Sequence, residues 1–195
     1  MKLPRSAVTM CSTLLPGFCL SVLLLALPGC SEEPEIRTAR VPTAQVASGS
    51  EVMLAAIVPT KGQAWFFKLT GGKSLVDPIV DDFETLLKTL EIADGQPVWK
   101  TPKDWNEVDI SGTRAASFGQ VAAFEIPTDG EPLKCTVSQL GAEDATQDEY
   151  VLVNLNRWRG QLGQSGLSID ELKASLEKGE DLKRFELKDG TPVTF

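Results

Sequence analysis

The sequence contains no histidine. That one absence removes Ser-His-Asp and Cys-His nucleophilic catalysis, His-ligated zinc and imidazole acid–base chemistry together. The chain also lacks a CxxC pair, a glycine-rich phosphate loop and an EF-hand loop, so no metal and no cofactor is expected. Basic residues are scarce as well: 19 Lys and Arg stand against 27 Asp and Glu, a net charge of −8. Such a surface repels nucleic acid and anionic head groups, so neither is an expected partner. A membrane-spanning run of uninterrupted apolar residues is missing. The most apolar stretch, Leu20 to Leu27, is short for a span of ~20 residues and fits the core of an export signal. An uncleaved anchor would have to extend back to Ala7 through Pro16-Gly17 and several hydroxyl residues.

What is present begins with that signal. Lys2 and Arg5 precede the apolar core, no acid occurs before residue 30, and the core ends in Leu27-Pro28-Gly29-Cys30. This ending resembles a bacterial lipobox, with an aliphatic residue three before the cysteine and a small one just before it. The resemblance implies cleavage after Gly29 and diacylglycerol on the Cys30 sulfur. It also implies a membrane partner through that lipid, and a location on the periplasmic or cell-surface side. Soluble export after ordinary signal cleavage is the other outcome. Loss of Lys2 and Arg5 leaves 17 basic against 27 acidic residues, a net charge of −10, so acyl chains and not surface charge must hold the protein at a bilayer. Cys11 and Cys19 leave with the signal. With Cys30 lipidated, Cys135 has no intramolecular partner, and the domain must be stable without a disulfide.

Residues 30–50 carry Pro34, Pro42, three glutamates and small polar residues without helical or strand period. The composition predicts a flexible tether, roughly 25 Å as a coil and about 65 Å when extended. A single domain over 51–195 follows. Val52 to Val58 is a short apolar run with the length of a strand buried on both faces. After Thr60-Lys61-Gly62-Gln63, the segment Ala64 to Thr70 alternates Trp65, Phe67 and Leu69 against Phe66, Lys68 and Thr70, which predicts a hairpin. Asp77 as N-cap and Pro78 at the first position predict a helix with Ile79, Val80, Phe83, Leu86, Leu87 and Leu90 on one face.

Residues 91–112 read as a loop held by Trp99 and Trp105. Strands are expected at Arg114–Phe118, Val121–Ile126 and Leu133–Ser138, the last with Cys135 on its core face. The recurrence of Val151, Leu155, Trp158 and Leu162 predicts a second helix over Asp148–Gly163. Ser168 with Glu171 three residues on is a capping box for a third helix through Leu176. Leu182–Leu187 and Pro192–Phe195, around Asp189-Gly190, predict a final hairpin. The stop inside an apolar strand pattern fits pairing at a sheet edge, or a reading frame ended early. The fold class is therefore α+β: an antiparallel sheet flanked by two or three helices, after the signal and the tether.

Two segments stand out together: Trp65-Phe66-Phe67-Lys68-Leu69-Thr70-Gly71, and Asn156-Arg157-Trp158-Arg159-Gly160-Gln161-Leu162-Gly163. With Trp99, Pro102 and Trp105 between them, they resemble a family of uncharacterised planctomycete lipoproteins over about residues 51–165. The resemblance implies a secreted lipoprotein domain without an assigned activity. The order of hairpin, helix and sheet is also similar to PsbP-type domains, which implies an antiparallel sheet covered by helices on its faces.

The candidate binding residues are Asn154, Arg157 and Gln161, which share one flank of the Trp158 helix, and the loop indoles Trp99 and Trp105. The flank could grip a carboxylate, a sugar or a backbone; equally, Arg157 and Arg159 could pair with local acids while Asn154 bonds a loop. The indoles could stack a sugar or fill the core. No catalytic residue is assigned. Paired acids such as Asp81/Asp82 and Glu107/Asp109 are expected in so acidic a chain and do not by themselves mark a glycosidase pair. The expectation is a lipid-anchored, non-catalytic binding or assembly module with an envelope protein or glycan as partner. The alternative is a carboxylate-dependent enzyme acting on envelope polysaccharide.

Overall fold

A computed structural model describes residues 51–195; the export signal, Cys30 and the tether lie outside the described residues. The first two strands, β1 (Glu51–Thr60) and β2 (Gln63–Gly72), pair along their whole length, with Glu51 opposite Gly72 and Thr60 opposite Gln63. Lys61-Gly62 makes the two-residue turn, where Gly62 takes a φ of +77° that a side chain would resist. The alternation seen in the sequence sorts the side chains. Trp65, Phe67 and Leu69 join Ala56 and Val58 on one face of the sheet. Phe66 joins Ile57 and Ala64 on the other.

The chain then runs through α1 (Lys73–Val76), a 3-10 turn at Asp77–Ile79 and α2 (Val80–Lys88). Helical structure thus starts four residues before the expected N-cap. Asp77 does not cap; its carboxylate accepts from Lys73 Nζ at 2.8 Å, one turn back. The expected stripe holds, and Phe83, Leu86 and Leu87 are fully buried against the first face.

Residues 91–112 are more regular than a loop. β3 (Glu91–Ala93) and β4 (Gln96–Val98) form a small separate hairpin, and β5 (Asn106–Glu107) joins the main sheet. Arg114–Ser117 is a one-turn helix, α3, not a strand. Thr113 caps it by accepting the Ala116 N–H at 3.2 Å, so its hydroxyl decides the local conformation. Next come β6 (Gln120–Ile126), β7 (Leu133–Gly141), α4 (Asp148–Gln161), α5 (Ile169–Lys178), β8 (Arg184–Glu186) and β9 (Pro192–Thr194). The Ser168–Glu171 capping box forms in both directions at the start of α5.

Seven strands make one antiparallel sheet in the order β5-β6-β7-β2-β1-β9-β8, so the domain is α+β. Its first face packs on α2 and on the segment carrying Trp99 and Trp105. The second face packs on α4 and α5 over β1 and β2. Beyond β2 the second face presents Lys134, Thr136 and Ser138 from β7 and Glu125 from β6, none of them buried.

Candidate functional site

The α4 flank delivers two of its three expected side chains. Arg157 and Gln161 are exposed. Asn154 is buried, and its Nδ2 donates to the Tyr150 carbonyl at 3.0 Å, one turn back on its own helix. It is therefore occupied in holding α4 and does not reach a ligand with the other two. Lys68, which is not among the candidate residues, completes the group. Its Nζ donates to Gln161 Oε1 at 2.6 Å, from the second face of the sheet to the C-terminal turn of α4. Burial, and then the Arg157 guanidinium, hold the Lys68 amine below its ordinary pKa. Among the described residues, the ion pairs join other partners, and no carboxylate sits within 4.0 Å of Lys68 or Arg157. Arg159 differs: its Nε donates to the Ser165 carbonyl at 2.7 Å and pins the turn after α4.

The loop indoles go elsewhere. Trp99 is half-buried and sets its edge on Phe67 at 6.1 Å and on Phe124 at 6.0 Å between ring centres. Trp105 is buried and leans on Phe124 at 5.9 Å. Both belong to the core of the first face, where they pack on Phe124. They do not form a stacking surface. Trp65 and Trp158 are also buried, Trp158 in an edge-on contact with Phe66. Cys135 is a core residue whose thiol is pushed up to about 12 by burial, so at neutral pH it is not a nucleophile.

A second arrangement has no counterpart among the sequence-derived candidates. A cavity of about 570 Å³ lies between the first half of β1 and the helices α4 and α5. Met53, Ala55, Leu155, Trp158, Leu162 and Leu182 wall it. Glu51, Asp181 and Arg159 are the charged residues around it. The size falls in the range of small-molecule and peptide pockets. It lies beside β1 next to the last pair with β9. β1 has 10 residues, whereas β9 has 3 and pairs with β1 only at Ile57 opposite Thr194. In an antiparallel strand, alternate residues direct N–H and C=O to the same neighbour. Since Ile57 faces β9, Ala55 and Met53 aim their backbone groups the same way, into the space β9 does not reach. Among the described residues, nothing pairs with them there. The wall residues come from four separate segments, so no local pattern announces the cavity. The one readable signal was the apolar character of Leu155 and Leu162, which the structure leaves half-buried.

Comparison with known proteins adds no relative: no family model, curated protein or solved structure matches the chain.

Proposed function

We propose that the protein is a lipid-anchored envelope protein whose domain is a non-catalytic binding or assembly module. The observation that carries the binding role is the 570 Å³ cavity beside β1, whose walls of Met53, Leu155, Trp158 and Leu162 offer apolar surface to one partner. The anchor rests on the sequence: Leu27-Pro28-Gly29-Cys30 after a short apolar core, and the likeness of the Trp65 and Trp158 segments to planctomycete lipoproteins. With the lipid on Cys30, the 20 residues from Ser31 to Ser50 would let the domain stand off the bilayer on the periplasmic or cell-surface side. The partner is then an envelope protein or a glycan.

The rival, a carboxylate-dependent enzyme on envelope polysaccharide, finds Glu51 and Asp181 on one cavity. Both are exposed, whereas a general acid of that kind sits in an apolar pocket withdrawn from water.

Two experiments test the proposal. Cys30→Ser should release the protein from the membrane fraction; retention of the variant in the bilayer refutes the lipid anchor. A photo-reactive amino acid in place of Leu162, on the cavity wall, should cross-link one protein in native membranes. The same group at Val153, exposed on the far flank of α4, should not. Recovery of glycan alone from the Leu162 position would exclude the protein partner, and cleavage of that glycan by the purified domain would favour the polysaccharide enzyme.

A further inference from the structure

We propose that Lys68, Arg157 and Gln161 form a second binding site, which takes an oxyanion group, a carboxylate or a phosphate, on a small hydroxylated ligand. None of the three lines the cavity beside β1, so this site is additional to the one in the binding-module reading above.

Two cations from separate elements meet here beside one amide. Lys68 Nζ donates to Gln161 Oε1 at 2.6 Å, and Arg157 stands one helical turn before Gln161 on the same flank of α4. The Nε2 of Gln161 is left to donate. Neither cation has an acid built beside it. Lys68 lies opposite Ala55 on β1 and Thr136 on β7. The neighbours of Arg157 one turn away are Val153, Asn154, Gly160 and Gln161. Elsewhere in the domain, Lys73, Lys88, Lys134, Lys183, Arg184 and Lys188 each meet a carboxylate at 3.8 Å or less. The other two charges on this part of the face, Lys134 and Glu125, are spent on each other. In a chain of net charge −8, cations joined through a glutamine and not through an acid, among the described residues, are an exception.

Two like charges held close repel. Burial and then the Arg157 charge lower the Lys68 pKa, so the two feel one another. An oxyanion between them relieves both: the guanidinium fork meets two oxygens side by side, and the ammonium adds a point charge. Hydroxyl groups flank the pair. Thr136 stands opposite Lys68, and Tyr150, half-buried on α4, lies within reach of the Arg157 charge. They suit a ligand with hydroxyls of its own. A nucleic acid or an anionic bilayer matches less, since the acidic body around the pair repels an extended polyanion, whereas one isolated oxyanion needs only this pair.

The test uses the full chain with isotope-labelled lysines and follows the Lys68 side chain by NMR, its signal assigned through Lys68→Met. Galacturonate, inorganic phosphate and neutral galactose are titrated at constant ionic strength. At least one of the two anions should shift the Lys68 signal saturably, and galactose should bind about tenfold more weakly or not at all. Tighter binding of galacturonate assigns the site to an acidic sugar; tighter binding of phosphate assigns it to a phosphorylated ligand. Arg157→Gln, at an exposed position of α4, should weaken the tighter anion about tenfold. That variant keeps the test decisive if Lys68→Met disturbs the sheet.

No saturable shift with either anion would overturn the proposal. So would an equal response to galactose or to sodium chloride, since Lys68 would then report hydroxyls or ionic strength alone, and so would unchanged binding in Arg157→Gln. Glu32, Glu33 and Glu35 of the tether are the carboxylates that compete from within the chain. Replacing all three with glutamine should leave the ligand-free Lys68 signal where it was. A shift of that signal would overturn the proposal as well, because the site would then hold the tether and not a ligand. None of these outcomes touches the Leu162 cross-link, which tests the cavity by itself.

Discussion

The first face of the sheet sets Trp65, Phe67 and Leu69 against α2, Trp99 and Trp105; the second sets Ile57, Ala64 and Phe66 against α4 and α5. Both faces belong to the same strands, and the residues simply alternate. Yet the first is closed by a continuous buried cluster, with Phe67, Phe83 and Phe124 fully buried. The second is closed only in part. It keeps a cavity beside β1 and leaves Lys68, Thr136 and Ser138 only half-buried. One side of the domain is therefore tightly closed, and the other keeps a cavity and half-buried polar side chains among the described residues. The contrast can be broken by finding that the two faces respond alike to comparable damage.

The largest effect should come from Phe124→Ala. This ring is fully buried and supports both Trp99 and Trp105, so its loss leaves a void that two indoles cannot fill without moving. A cost of about 4 kcal/mol is expected in urea unfolding. Trp158→Ala on the second face removes a larger side chain and should cost less, about 3 kcal/mol, because part of its surroundings is already cavity. Equal or reversed costs would show that the second face is as tightly closed as the first.

These contrasts were unevenly legible beforehand. The assignment of Trp65, Phe67 and Leu69 to one face and Phe66 and Lys68 to the other followed from alternation alone, and the structure agrees. Helices α4 and α5 followed from period and capping for the same reason: each signal is local. The hairpin of β3 and β4 carries a local signal too, inside the segment that reads as a loop. Asp94-Gly95, with φ values of 53° and 77°, is the two-residue turn that joins such strands. At Arg114 the expected strand has no β-branched residue behind it, since Ala115, Ala116 and Ser117 are poor strand formers, and the Thr113 hydroxyl closes a helical turn. On the α4 flank, spacing placed Asn154 beside Arg157 and Gln161, but could not tell that its amide folds back on Tyr150. Lys68 joins that flank across 93 positions of sequence, beyond any periodic signal. The cavity was illegible because its walls come from segments far apart in the sequence.

A smaller test acts on the second face alone. Ser168→Ala removes the side chain that accepts the Glu171 N–H and opens the capping box of α5. The expected cost is about 1 kcal/mol. Amide exchange should rise in α5, which walls the second face through Leu172, and stay unchanged in α2. A parallel rise in α2 would mean that the two faces unfold as one unit before global unfolding, and that their difference in closure has no energetic meaning.

The smallest effect concerns charge, and its sign is informative. Burial and Arg157 lower the Lys68 pKa from its ordinary 10.5 in the folded domain. The unfolded chain then binds that proton more tightly than the folded one. Stability must therefore rise as pH climbs from the folded value towards 10.5, and at neutral pH the ammonium is a small cost. The Gln161 bond offsets part of that cost, and the partial exposure of Lys68 screens the rest. Lys68→Met should accordingly leave stability at pH 7 within about 0.5 kcal/mol of the parent and flatten the alkaline rise. The first face has no comparable cation at its centre, so variants there should keep the rise intact. A loss above about 1 kcal/mol at pH 7 in Lys68→Met would identify the Lys68–Gln161 bond as a structural tie between sheet and helix. Lys68 would then hold the second face closed, as Phe124 holds the first.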